Sequence, residues 1–428
     1  MAHRRGGLLG QRNFRLLWLG ETVSGAGTAM AAAGVPLLAV TVLRASTFAV
    51  AALTAAGYLP WLVIGLPAGA WVDRLPVRPL MITCDVVCAL LYASLPAAAW
   101  AGVLTIGQVA AAATAAGTAG VLFATAYQVL LPSLVTAGEL VEGNAKLQGS
   151  ASVAAIGGRG AAGLAAEAVG AAALLFNAAS FLVSAACLLR IQAGAAPPRP
   201  GGQRGTRATT VRAEVAQGLR LIASDPYLRP LTIYAAAGNL AYTGSTALLV
   251  VFLVRVAGFG PAAAGLLLAT AGVGGVLGAV IARRLARWLG TARALLLSTL
   301  AAGLFSLLIP LSAAGPRAAC YVAGAAVASA GIAVGNIIAG SFRQAYCPPS
   351  MLGRVTASMR CAVFGAIPLG ALLAGGLATA LGARAALWVI LACYALSGAF
   401  LATPAMLAHR DLPGGSPGRC GRTAGRAH

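Results

Sequence analysis

Charge is scarce in this sequence: Asp, Glu, Lys and Arg make up 9% of its 428 residues, against 59% hydrophobic. A water-soluble chain of this length could not cover its surface with so few polar groups, which excludes an ordinary soluble globular fold. Acids are scarcer still, nine against 30 basic residues, and Lys146 is the single lysine. Histidine occurs only at His3, His409 and His428, so no imidazole is expected within the body of the fold. The eight cysteines form no CxxC pair and read as no disulfide framework; Cys84 and Cys88, one helical turn apart, read as packing. Neither a nucleophile elbow, nor metal-spaced His, nor a P-loop occurs, and GVGGVLG (272–278) reads as the glycine face of a helix. An enzyme and a self-contained ATP-driven pump are therefore not expected, and no catalytic residue, metal or cofactor is assigned.

Long apolar runs are what the chain has instead. From Phe14 to Leu407 they recur at lengths beyond the ~18–20 residues that span a bilayer as a helix. Turn and charge signals divide them into twelve predicted spans: 14–43, 47–72, 79–101, 104–131, 144–168, 171–191, 228–256, 261–287, 291–313, 317–345, 354–381 and 384–407. Ala and Gly run through the fifth and sixth without a polar break. The first run, about 30 residues, is longer than a signal-peptide core and reads as a retained span.

A net charge of +21 suggests nucleic acid in a soluble chain. Here the Arg residues sit between spans, so the expected partners are anionic lipid headgroups and not nucleic acid. With both termini inside, the cytoplasmic segments collect Arg4, Arg5, Arg12, Arg15, Arg74, Arg78, Arg283, Arg284, Arg287, Arg293, Arg343, Arg354, Arg410, Arg419, Arg422 and Arg426. The outer loops keep Arg44, Arg255, Arg317 and Arg384. The expectation is a multi-pass protein of a bacterial cytoplasmic membrane with both termini cytoplasmic.

The domain plan follows: a cytoplasmic N-terminus (1–13), a six-helix bundle (14–191), a cytoplasmic linker (192–227), a second six-helix bundle (228–407) and a disordered basic tail (408–428). The linker opens with the Pro/Gly/Arg-rich AAPPRPGGQRGTRATT. It then places Val211, Val215, Leu219 and Ile222 on one helical face, suggesting an amphipathic surface helix over 211–223 ended by Asp225-Pro226. An ordinary solvated connector is the other reading.

The two halves repeat. Gly69 to Arg74 (GAWVDR) matches Gly278 to Arg283 (GAVIAR) at an offset of 209; Gly158 and Gly163 match Gly370 and Gly375 at 212; SFLVSAACLL (180–189) matches CYALSGAFLA (393–402) at 213. Three matches near one offset, centred on the linker, point to a duplicated six-plus-six transporter with a cavity at its centre.

Charges within spans must be paired or line a wet cavity. They are Glu21 in span one, Asp85 near the start of span three, and Arg159 and Glu167 in span five. Glu21 is the leading proton-site candidate, because a carboxyl in a low-dielectric site can take up and release a proton; a structural hydrogen bond is the competing reading. Arg159 either organises a carboxylate or meets an anionic group on cargo, or else forms a buried structural pair. Glu167 sits about 12 Å further along the same helix, near the outer mouth, where it could also be a plain surface charge. Asp85 reads as a partner for inner-loop Arg residues. Asn239, Tyr242 and Asn336 are further polar groups for the cavity, with packing as the alternative for each.

GAWVDRLPVRP (69–79) and the six-plus-six plan resemble the major facilitator superfamily, whose loop signature is matched by Gly69, Asp73, Arg74 and Arg78; Pro76 stands where that pattern usually has Gly. The chain from about 12 to 407 is similar to the branch containing the enterobactin exporter and related actinobacterial efflux proteins. The stretches FRLLWLGETVS, LPSLVTAGELVEGNAKLQ, NAASFLVSA, EVAQGLRLIASDPYLR and SFRQAYCPPSMLGRVTASMR carry that likeness. The resemblance implies an all-α fold of twelve transmembrane helices in two pseudo-symmetric bundles. It implies an inner gate in which Asp73 braces the start of span eleven, with Arg354 at hand and Asp85 nearby; the second half has Ala282 instead of Asp. It also implies an antiporter motif over Gly158, Arg159 and Gly163, although Arg159 stands in place of the usual Pro. The Arg-containing motif that many drug/proton antiporters carry in span four is missing.

The expected function is secondary active export of a small hydrophobic or amphipathic compound, a drug or natural product, by alternating access and proton antiport. A siderophore exporter and a nutrient importer of the same fold are the alternatives; a non-transporting receptor would not need charges inside its spans. A small-molecule cargo, a proton gradient as the energy source and a monomeric state complete the expectation.

Overall fold

The computed structural model describes residues 8–65, 67–72, 74–136, 139–192, 219–347 and 349–413, without the side chains of 69–70, 140–141, 145, 349–354, 357, 360–362 and 364. In chain order the main helices are α1 (Arg12–Thr41), α2 (Thr47–Ile64), α3 (Ala68–Val72), α4 (Val77–Trp100), α5 (Ile106–Leu134), α6 (Leu140–Val169) and α7 (Ala173–Arg190). The second half adds α8 (Leu228–Val251), α9 (Pro261–Leu289), α10 (Thr291–Ser306), α11 (Ala318–Tyr346), α12 (Pro349–Leu381) and α13 (Ala383–Ser397). Among the described residues ten helical stretches are long and apolar enough to cross a membrane. The longest, Glu142–Arg190, has 49 residues and is broken at Gly170, so it supplies two spans, α6 and α7. With the shorter apolar part of α12, Gly365–Leu381, these account for the twelve spans expected.

The break that the sequence left without a polar marker lies at Gly170, whose φ of 56° places it in the left-handed region that glycine enters without steric cost. Elsewhere polar side chains set the starts. Ser46 Oγ accepts from Ala49 N (3.2 Å) before α2, and Thr105 Oγ1 from Gln108 N (3.2 Å) before α5. Each satisfies one of the N–H groups that a helix start leaves unpaired.

Several boundaries depart from expectation. The second span ends at Ile64 and the short α3 follows, in place of one helix to residue 72. The ninth span closes as a 3-10 turn at Ile309–Leu311 after α10 stops at Ser306. Of the surface helix expected at 211–223, residues 211–218 lie outside the described residues. Residues 219–224 are helical, but Ile222 is buried while Leu219 is exposed. The tail is not uniformly disordered either. Thr291 N donates to Asp411 Oδ1 (2.8 Å), Leu412 N to Thr291 Oγ1 (2.8 Å) and Ala292 N to Arg410 O (3.2 Å), so residues 410–412 cap the start of α10. Residues 414–428 lie outside the described residues.

The chain divides into two compact units, one of residues 1–206 with 260–269, the other of 207–259 with 270–428. In the first, α1 packs on α6 and α7, α4 on α5 and α7, and α2 on α5. In the second, α8 packs on α12 and α13, and α10 on α11 and α13. A Cβ on Gly274 or Gly278 of α9 would strike the backbone of Ala326 or Ala330 in α11, the counterpart of the α2–α5 contact. Each unit therefore uses the same pairing of its own helices. Gly158 and Gly370 show it at single-residue level. A Cβ on Gly158 would collide with Ala26 O in α1, and one on Gly370 with Leu240 O in α8. Long apolar side chains stay exposed on the outside, among them Leu90 (66%), Val280 (69%) and Leu304 (63%), as expected of surface that meets lipid tails rather than water.

Candidate functional site

In the first unit α1, α4 and α7 meet where Gly20 lets α7 approach: a Cβ there would lie 3.3 Å from Cys187 Cβ and 3.4 Å from Ser184 Cα. The next residue is Glu21, partly exposed as a residue but with Oε1 fully buried and without a hydrogen-bond partner among the described residues. Asp85 of α4 is 2% exposed, and its Oδ2 is likewise buried and unpartnered. The Asp85 charge bears on Glu21, the Ser184 hydroxyl lies beside Asp85, and the Glu21 charge bears on Tyr127 of α5. Residues one turn from the two acids belong to two buried apolar clusters. Leu17, Met81 and Ala126 belong to one buried cluster, and Cys84, Cys88 and Ala119 to the other. Tyr92 stacks on Phe181 at 6.0 Å beyond it.

The expected pairing of Asp85 with inner-loop arginines is not found among the described residues. Arg78 is engaged elsewhere: its Nε donates to Leu188 O (2.7 Å) and its Nη2 to Leu189 O, so it caps the end of α7. A guanidinium there suits the partial negative charge of a helix C-terminus. Arg74 is exposed. Asp73 lies outside the described residues, as do the side chains of Gly69 and Arg354, so the gate contact expected between Asp73 and span eleven is not described.

Arg159, Gly163 and Glu167 follow one another at four-residue spacing and so share one face of α6. Arg159 is half-buried, and among the described residues no carboxylate lies within ion-pair distance of it. At Gly163 a Cβ would collide with Pro261 O and lie 2.8 Å from Gly265 Cα, so α6 crosses residues 261–265 of the same unit in direct backbone contact. One helical turn beyond that crossing, Glu167 Oε2 accepts from Ala262 N at 3.0 Å, supplying an acceptor to the exposed start of α9. Glu167 is thus a helix-capping acid, a role that its position in sequence did not reveal.

In the second unit the expected polar residues are less concentrated. Asn239 Nδ2 donates to its own helix at Ala235 O (2.9 Å), while Tyr242 and Asn336 are exposed. A cluster that sequence reasoning missed lies among α8, α10 and α13. Thr299 Oγ1 donates to Tyr234 OH at 3.4 Å, beside the buried Tyr394 and Ser397. Tyr234, Thr299 and Ser397 follow Glu21, Asp85 and Ser184 by 213, 214 and 213 residues, which is the repeat offset. The same niche thus holds two acids in one unit and neutral hydroxyls in the other. The repeat matches contained the signal, since Ser184 and Ser397 fall inside the third of them.

Asp225 also went unassigned beyond ending a helix. It is buried, its Oδ1 accepts from Tyr227 N and Leu228 N (both 2.9 Å), and its Oδ2 from Tyr346 OH (2.9 Å). It caps α8 and ties it to the end of α11, inside an aromatic group of Tyr227, Phe342 and Tyr346.

Two duplicated helical units with ionisable groups inside apolar spans define the class: a polytopic α-helical membrane protein of transporter architecture. The model of the Major Facilitator Superfamily matches residues 17–367, and the chain belongs to that family of transporters. It is similar to the multidrug efflux pump Tap of Mycolicibacterium fortuitum, 29% identical over 343 residues that cover 77% of this chain and 80% of the pump. Among solved structures it resembles the nucleoside transporter NupG (TM-score 0.75, 12% identity, 93% and 99% of the two chains). A bacterial homologue of the iron transporter ferroportin is also similar (TM-score 0.69, 16% identity, 91% and 98%). At such identities these two structures establish the fold.

Proposed function

We propose that this protein exports small hydrophobic or amphipathic compounds across a bacterial cytoplasmic membrane by alternating access, in exchange for protons. Both termini lie in the cytoplasm, the side to which the positive-inside rule assigns the Arg-rich segments. The observation that carries the coupling is Glu21, an acid inside a membrane span with one carboxyl oxygen buried and unpartnered. Such a group is tolerated in a span when it exchanges protons. The likeness to a multidrug efflux pump supports the direction and the cargo class. So does an interior built chiefly from Ala, Leu, Val and Gly, which suits apolar cargo better than sugars that need many polar contacts.

A second reading, export of a siderophore or another compound with an acidic group, is favoured by Arg159, a half-buried cation in a span with no carboxylate in ion-pair range among the described residues. The test is purified protein in proteoliposomes with an imposed pH gradient, assayed with lipophilic cationic dyes and catecholate siderophores. Gradient-dependent movement of the dyes, lost in Glu21→Gln, supports the first reading. Movement of the siderophores alone, lost in Arg159→Ala, supports the second. Transport of either that ignores the gradient contradicts proton coupling.

A further inference from the structure

We propose that the corner between α9 and α10 binds the headgroup of an anionic phospholipid that carries two phosphates. The inference goes beyond transport, because neither cargo nor coupling ion enters it. Only the leaflet, the cytoplasmic one, rests on the orientation already proposed.

Five arginines gather around this corner: Arg283, Arg284 and Arg287 of α9, Arg293 of α10 and Arg410 of the C-terminal segment. All five are exposed. Gly290 turns the chain between the two helices with a φ of 85°. A Cβ there would collide with Arg410 O, so the C-terminal segment lies directly on the turn. Arg410 Nη2 donates to Trp288 O (3.0 Å), and Ala292 N donates to Arg410 O (3.2 Å). At 1.5 Å per residue, Arg283 is about 10 Å from Gly290 along α9, and Arg293 about 5 Å along α10.

This charge has no answer within the unit. Between Asp225 and Asp411 the sequence contains no acid. Asp225 is buried under three hydrogen bonds, and Asp411 accepts from the amide and hydroxyl of Thr291. Among the described residues no carboxylate lies within ion-pair distance of any of the five arginines. Cations so close repel one another, and an external anion relieves that repulsion.

Their place on the helices argues for lipid. Leu277, Ile281, Arg284 and Trp288 recur at three- and four-residue spacing, as do Arg293, Leu297, Leu300 and Leu304. All eight are exposed, so each helix carries an apolar stripe that runs into arginine at the corner. Trp288, 81% exposed, stands where an amphipathic ring meets headgroups. A soluble phosphate would make no use of the stripes or of the indole. Guanidinium forks match phosphate oxygens in pairs, and arginines on both sides of the turn suit two phosphates better than one.

Topology alone does not ask for this density. At the repeat offset of 209, Arg283, Arg284 and Arg287 correspond to Arg74, Leu75 and Arg78. Arg78 is committed to the carbonyls at the end of α7. The first unit therefore turns its equivalent corner with one exposed arginine, Arg74, at these three positions.

The experiment is native mass spectrometry of the purified full-length protein in detergent, titrated separately with cardiolipin, phosphatidylglycerol and phosphatidylcholine. It reads the contact whichever way the chain is inserted in a membrane. One cardiolipin should be held more tightly than either other lipid. Arg284→Gln/Arg287→Gln should weaken that binding about tenfold or more. Arg12→Gln/Arg15→Gln removes the same charge from exposed positions at the start of α1 and should leave it unchanged. Should the first variant fail to fold, Arg293→Gln/Arg410→Gln replaces it with the same expected loss. Equal losses in the α1 and corner variants would show diffuse charge and overturn the site, as would phosphatidylglycerol bound as tightly as cardiolipin. Inorganic pyrophosphate that binds through the same arginines and displaces the lipid would assign the corner to a soluble phosphate and overturn it too.

Discussion

At the scale of single residues, two carboxylates that both serve as hydrogen-bond acceptors differ in their surroundings. Asp225 takes three hydrogen bonds in a buried position, so its loss leaves two helix-start amides and a tyrosine hydroxyl without their acceptor. Asp225→Ala is expected to cost ~1–3 kcal/mol, and Tyr346→Phe about 1 kcal/mol, read as lowered midpoints in thermal unfolding of the detergent-solubilised protein. Glu139, partly exposed before α6, accepts from the Thr136 hydroxyl and amide and from Gln11. The Thr136 hydroxyl bond foremost holds its carboxyl below the usual glutamate range. A lowered folded value means that the stabilisation is present above the unfolded value and is lost as pH falls through the folded one. Glu139→Gln should therefore lower the unfolding midpoint near neutral pH and converge with wild type in acid. A difference that persists in acid would show that packing, not charge, is involved.

At the scale of helices, small residues decide which elements touch. Gly158 and Gly370, 212 residues apart, each admit the first helix of their own unit, so Gly158→Leu and Gly370→Leu should both depress folded yield, by about 1–3 kcal/mol or more of overpacking. Gly157 and Gly376 have open space at Cβ, and leucine at either should leave the yield near wild type. Equal tolerance at all four sites would remove the repeat-based account of packing. Much of this scale was legible in the sequence, because apolar length, Arg-rich loops and glycine spacing are local signals. The break at Gly170 was not, since a left-handed glycine leaves no polar mark. Nor was the cap that Glu167 gives α9, because partners 95 residues apart meet only in three dimensions. The niche of Glu21 was half visible. An acid inside a span announces itself, but the sequence does not show that Arg78, the arginine expected near Asp85, caps α7 instead.

At the scale of the whole molecule, the two units share one pattern of helix pairing and differ in the chemistry placed on it. One holds Glu21 and Asp85; the other has the hydroxyls of Tyr234 and Thr299 at the corresponding repeat positions. Such asymmetry fits a transporter in which one unit senses protons, and it confines the coupling claim to a few side chains. The most direct test is dye efflux from energised proteoliposomes, recorded with and without the pH gradient for wild type and Glu21→Gln. Proton-coupled export predicts that collapsing the gradient lowers wild-type transport at least tenfold, and that Glu21→Gln transports at the collapsed level whether or not the gradient is present. Wild-type transport that is the same with and without the gradient would contradict it.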